Sequence, residues 1–300
     1  MTDIISPFLV FSAIQAATPL LLAALAGLLC SRAGVFNMAL EGQMLVGAFA
    51  AVFGSYVTGS QLGGVALAMV ATMAFSIILG GGATYLRGNP VVICVGMNLL
   101  ASGLTAFLLR SIFGVSGTFT SPRIAPLSKI RLPFLEALGS YGRAFSNQTS
   151  LTYLAWVLLI VCTVVLFKTA AGLRIRGVGQ NTAAATTLGI NVMRFQLLVV
   201  VLTGALVGLA GAQLSLGAVT LFSEDMTAGR GWIALVAIML ARDNPLGAAA
   251  AALLFGLTDA LGLRLSSFGV PYQLTNTFPY VVTLVALVLL SRDRRAPVTT

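Results

Sequence analysis

The amino-acid sequence predicts an all-α protein, a polytopic bundle of transmembrane helices with about nine spans, broken helices among them, in one domain over residues 1–300. Three observations predict it. Charged residues are only 8% of the chain, where soluble domains carry roughly 25%. Mean hydropathy is +0.99. Stretches 4–31, 42–86, 88–109, 144–167, 195–223 and 265–291 hold no charge, and about 20 apolar residues are enough to cross the hydrocarbon.

In chain order the first span is 7–30. It is longer than the apolar region of a signal peptide, and Asp3 stands where a cleavable leader carries basic residues, so it reads as a retained helix. The second, 36–57, begins inside a polar interruption, Arg32-Ala-Gly-Val-Phe-Asn-Met-Ala-Leu-Glu-Gly-Gln43. The third, 62–86, stops at Arg87. The fourth, 90–113, is opened by Arg87-Gly-Asn-Pro90, where Asn caps a helix and Pro suits its first position. The fifth, 151–168, ends at Lys168. The sixth, 194–218, carries Gly204, Gly208 and Gly211 near one face, small residues that let helix backbones approach in lipid. The seventh, 230–241, is too short to cross alone and either begins in the preceding loop or is a broken helix. The eighth, 245–263, opens with Arg242-Asp-Asn-Pro245. This echo of 87–90 reflects either two helices starting at one surface or an internal repeat. The ninth is 273–291.

Two connections are long. Residues 114–150 form an external loop with Pro122, Pro126, Pro133 and mixed charge, either a docking surface or a solvated connection. Residues 169–193 form a cytoplasmic loop with a short helix in it, capped by Asn181 or Thr182, filled by alanines and ended by Gly189 in the left-handed conformation. The basic-inside rule puts the C-terminal tail (Arg292, Arg294, Arg295) in the cytoplasm, together with Arg32, Arg87, Lys168, Arg174, Arg176, Arg194 and Arg242. Arg110, Arg123, Lys129, Arg131, Arg143, Arg230 and Arg264 then lie outside, and nine spans place the N-terminus outside too.

Net charge is +9, but the cations sit at span ends and not in a patch, which argues against a nucleic-acid partner. The three cysteines make neither a disulfide framework nor a metal spacing, and there is no histidine. No nucleotide-binding loop and no acid–base constellation occurs, so the chain is expected not to be an enzyme. Of the eight acids, only Glu41 and Asp259 are expected within or near the membrane. An ionisable residue there lines a path or fixes irregular backbone. Glu41 either borders the path or holds a broken helix, and Asp259 either pairs with Arg264 or contacts substrate. Asn98 and Gln213 must face the bundle, as interhelical hydrogen bonds or as ligand contacts. Asn37, Glu41, Asn98 and Asp259 are the candidate path residues.

The segment Arg32 to Ala48 resembles the signature of permease subunits of bacterial ABC importers, in the branch serving nucleosides and simple sugars and related to branched-chain amino-acid and ribose permeases. The resemblance continues through Gly177-Val-Gly-Gln-Asn181, Leu188-Gly-Ile-Asn191, Leu202-Thr-Gly-Ala-Leu-Val-Gly-Leu-Ala-Gly-Ala212 and Gly231-Trp-Ile-Ala-Leu-Val-Ala-Ile-Met-Leu240. It ends in Asn244-Pro-Leu-Gly247, Leu254-Phe-Gly-Leu-Thr-Asp-Ala260, Pro271-Tyr-Gln and Phe278-Pro-Tyr280. It implies half of a transport path in the bacterial inner membrane, worked by alternating access. It also implies a second, non-identical permease subunit, two cytoplasmic ATPases that hold the ATP and Mg, and an external substrate-binding protein. No cofactor is then expected on this chain, and lipid surrounds it. The resemblance makes the inner loop a coupling helix, with Gly179, Gln180, Asn181, Ala184, Leu188 and Gly189 as the ATPase contact. The chain departs from the family there, with Gly179-Gln180-Asn181-Thr182 in place of Gly-Glu-Asn-Pro. A carrier or channel that needs no ATP is the competing reading.

Overall fold

The computed structural model describes residues 7–133, 140–266 and 281. The described chain is helical almost throughout: α1 (Pro7–Arg32), α2 (Leu40–Thr58), α3 (Gln61–Thr84), α4 (Pro90–Phe113), α5 (Ser140–Ser146), α6 (Ser150–Lys168), α7 (Ala170–Gln180), α8 (Thr182–Thr187), α9 (Val192–Ala212), α10 (Arg230–Leu240) and α11 (Pro245–Ser266). A π-helical segment, Gln213–Val219, continues α9. Seven of these helices are long and apolar enough to cross a membrane, and α10 is a shorter apolar helix. The first eight predicted spans therefore have counterparts, with 230–241 as the broken one. The ninth, 273–291, and the basic tail lie outside the described residues.

The helix boundaries follow local chemistry. Ser60, Asn89, Asn181 and Asn191 each accept a backbone N–H of the helix they open, as N-cap side chains do. Asn89 and Asn244 both precede Pro, and both accept the N–H two residues on. Arg87 and Arg242, each two residues earlier, both sit at φ 51°. The tetrapeptide echo is thus a shared turn that starts α4 and α11.

The core lies on α1, α2 and α9. Leu22, Leu25 and Leu28 of α1 are sealed from solvent, as are Met44 of α2 and Val207 of α9. Lipid tails are as apolar as leucine, so close packing holds such helices together. A Cβ on Gly204 or Gly208 would run into Thr72, Ser76 or Ala68 of α3, and one on Gly211 into Met44 and Ala48 of α2. The stripe on α9 therefore admits two neighbours at once. Helices α4 and α6 lie at the edge, with Val92, Leu99, Phe107 and Ile160 more than 60% exposed. Hydroxyls in the bundle bond back to their own helix, as Thr72 does to the Ala68 carbonyl and Ser76 to that of Thr72, which keeps these hydroxyls from standing bare in hydrocarbon.

One end of the bundle carries α7 and α8, the loop-helix end. There Arg32 donates to the Asp243 carbonyl at 2.7 and 2.9 Å, closing the C-terminus of α10. At the opposite end the 114–150 connection folds onto the bundle. Strand Thr118–Phe119 pairs with Phe222–Ser223, and Lys129–Ile130 pairs with Gln148–Thr149. Ile124 and Leu127 are buried, and the Ala125 N–H donates to Ser55 Oγ. This part of the connection is ordered by packing, while 134–139 lie outside the described residues.

Candidate functional site

The seven residues between α1 and α2 run back into the bundle as irregular chain, and polar side chains pay the cost of that. Asn37 is 2% exposed. Its Nδ2 donates to Gln43 Oε1 and its Oδ1 accepts the Ala39 N–H. Gln43 in turn donates to Ser76 Oγ at 3.0 Å. From the first half of α4, Asn98 donates to the Met38 carbonyl and accepts the Gly42 N–H at 2.8 Å. A Cβ on Gly42 would stand 2.9 Å from the Asn98 Cα, so glycine is what allows this approach.

Glu41 completes the junction. The Gly229 N–H donates to its Oε1 at 2.8 Å and the Gly231 N–H to its Oε2 at 2.6 Å. The carboxylate thus closes the N-terminus of α10, where unpaired amides and the helix dipole favour negative charge. A Cβ on Gly231 would lie 2.5 Å from the Glu41 Cα. Helix α10 is therefore a half-helix, held by Glu41 deep in the bundle and by Arg32 at the loop-helix end. Asn37, Glu41 and Asn98 come together here, and most of their polar atoms hold backbone. Asn98→Leu should leave the Gly42 amide without its partner and cost about 1–3 kcal/mol, read as a lower melting temperature of the detergent-solubilised chain.

Residues 220–229 return toward the bundle centre between α9 and α10, and the sequence reading missed this. Thr220, Asp225 and Ala228 have φ of 54°, 52° and 45°, left-handed values that non-glycine residues adopt at a cost. Ser102, halfway along α4, donates to Asp225 Oδ1 at 2.7 Å. Asp225 is nonetheless exposed on the surface of the chain. Above it, Glu224 accepts the Gly117 N–H and meets Arg110 at 3.8 Å. The sequence reading singled out only Glu41 and Asp259 among the acids, and Asp225 stands beside the middle of α4 as well. Arg230 opens α10, at the end held by Glu41. The short run 230–241 was the available signal, since the chain before an incomplete span must make up the depth.

Asp259 lies apart from the junction. Its Oδ2 meets Arg230 Nη2 at 3.4 Å, a partner that the sequence reading, which offered Arg264, did not anticipate. The pair lines a cavity of about 430 Å³ between α1, the π-helical segment and α11, with Gln15 and Gln213 also in its wall.

On the inner loop, Asn181 caps α8 through the Ala184 N–H and Gly189 ends it at φ 79°. Gln180, Asn181, Ala184, Leu188 and Gly189 are exposed, Leu188 at 81%. Gly179 is different. It packs on the Arg32 carbonyl, and a Cβ there would stand 3.0 Å from the Gly34 nitrogen. Gly179 thus seats α7 against the start of the 33–39 segment.

The family model described as branched-chain amino acid transport system / permease component matches residues 9–289. The chain belongs to this family. It is 36% identical to the guanosine ABC transporter permease protein NupQ of Bacillus subtilis, over 90% of this chain and 88% of that protein. It is 33% identical to the nucleoside ABC transporter permease protein NupC of Lactococcus lactis, over 93% and 91%. A chain of a solved structure, reported as an inward-facing, metal-chelate type ABC transporter, superposes with a TM-score of 0.53 at 17% identity, covering 95% of this chain and 86% of that one. That likeness concerns the fold. This permease is accordingly a multi-pass membrane transport subunit and not a catalytic one, and ABC permeases work with ATPase and substrate-binding partners.

Proposed function

We propose that this permease imports a nucleoside, as one of two non-identical membrane subunits on two cytoplasmic ATPases that bind the ATP and Mg, with an external binding protein delivering the substrate. The loop-helix end faces the cytoplasm of a bacterium, the strand-bearing connection faces outward, and all 300 residues form one transmembrane domain. The observation that carries the path is Asp225. A carboxylate exposed halfway along a membrane-crossing helix is costly against lipid, so the face of α4 around Ser102 borders water shared with the second subunit. Asn37, Glu41 and Asn98 stand directly behind that face and fix its shape. Exposed α8 supplies the docking element through Gln180, Asn181, Ala184, Leu188 and Gly189. When the ATPases close, α8 moves with them and the two subunits rock about the shared path.

Guanosine uptake by proteoliposomes holding the assembled transporter tests this. Uptake should require ATP and binding protein, and Asp225→Asn, which suits the left-handed backbone and can still accept from Ser102, should reduce it about tenfold or more without lowering the yield of folded complex. Uptake by this chain alone without ATP would instead establish a secondary carrier.

A further inference from the structure

The cavity beside Arg230 and Asp259 has a wall unlike the rest of the bundle. Gln213 is 1% exposed, its Oε1 accepts from Thr149 Oγ1 at 2.8 Å, and its Nε2 has no hydrogen-bond partner. A buried donor left bare is costly and asks for an explanation. A Cβ on Gly217 would stand 2.7 Å from the Gln213 amide, so glycine keeps room for it. The helix carrying Gln213 widens there into a π turn, a local distortion that often marks function. Across the cavity, Pro19 lacks an N–H, which removes the α-helical partner of the Gln15 carbonyl. Arg230 touches only Oδ2 of Asp259, and Oδ1 is unengaged among the described residues. Leu214, Leu221 and Met226 supply apolar wall.

We infer that this cavity is a binding site, within a single subunit and separate from the shared path, for the ribose of a nucleoside. The ion pair is neutral as a whole, which selects an uncharged ligand. Vicinal hydroxyls both donate and accept. They match an unengaged carboxylate oxygen and a freed carbonyl as acceptors, with the guanidinium and the Gln213 amide as donors. The volume falls within the range of about 300–1,000 Å³ usual for small-molecule sites. The assignment rests on the nucleoside reading above.

The test compares uptake KM for guanosine and 2′,3′-dideoxyguanosine in the assembled transporter. Asp259→Asn and Gln213→Leu should each raise the guanosine KM about tenfold, the loss expected from one hydrogen bond to a buried or charged group. They should change the dideoxy analogue less than about twofold, since it lacks the diol they hold. Ala218→Phe fills the cavity without touching the ion pair and should raise both values, so the test survives if a polar variant does not fold. A wild-type transporter that takes up guanosine, with variants that keep its KM, would overturn the site alone. A wild-type transporter that takes up no nucleoside would overturn the functional reading and the site with it.

Discussion

Glu41→Gln should lower the melting temperature of the solubilised permease by several degrees. The carboxylate accepts two backbone amides, from Gly229 and Gly231. An amide side chain can accept only one of them and turns an N–H toward the other. Hydrogen bonds to a charged acceptor are worth about 1.5–3 kcal/mol each, and an amide left unpaired at depth costs a similar amount. The expected loss is therefore about 2–4 kcal/mol, large against typical stabilities. Glu41→Ala should lose more, because both amides are then bare and a hole opens beside Gly231. Melting followed by size-exclusion of detergent extracts measures both. Unchanged melting together with lost uptake would mean that Glu41 acts on substrate instead of on α10.

Replacing residues 182–189 with a Gly-Ser linker of equal length should abolish ATP-dependent uptake while the transmembrane bundle stays folded. Helix α8 is exposed along most of its length, with Ala185 the exception, so its removal exposes little core. Its cap on Asn181 and its stop at Gly189 show that the sequence specifies a helix where packing hardly supports one. ATPase co-purification and uptake, measured on the same preparation, check this. Uptake that persists at wild-type rate would remove α8 from coupling. Leu188 at 81% exposure is the natural anchor, and Leu188→Asp alone should weaken ATPase retention.

The spans were legible because a bilayer demands long apolar runs, and α1 to α4, α6 and α9 carry charge only in their end turns. The junction was half legible. Asn37, Glu41 and Asn98 stand out as polar groups in apolar surroundings, but that Glu41 caps α10 depends on residues 188 and 190 positions away. Asp225 and Arg230 were not singled out because a short polar stretch reads alike whether it lies on the surface or turns back inside. Arg230 was not foreseen beside Asp259 because 29 residues separate the two. Gly179 shares a motif with the exposed loop, yet its missing side chain answers a contact with Arg32.

The seven residues from Ala33 to Ala39 are anchored along their length. Gly34 touches Gly179, the Ala33 carbonyl accepts from Gln196 at 2.9 Å, and Asn37 is tied to Gln43. An extra residue here has nowhere to bulge. It would turn α2 by about 100° and carry Glu41 off the amides it serves. The length of this connector is thus fixed as strictly as any side chain.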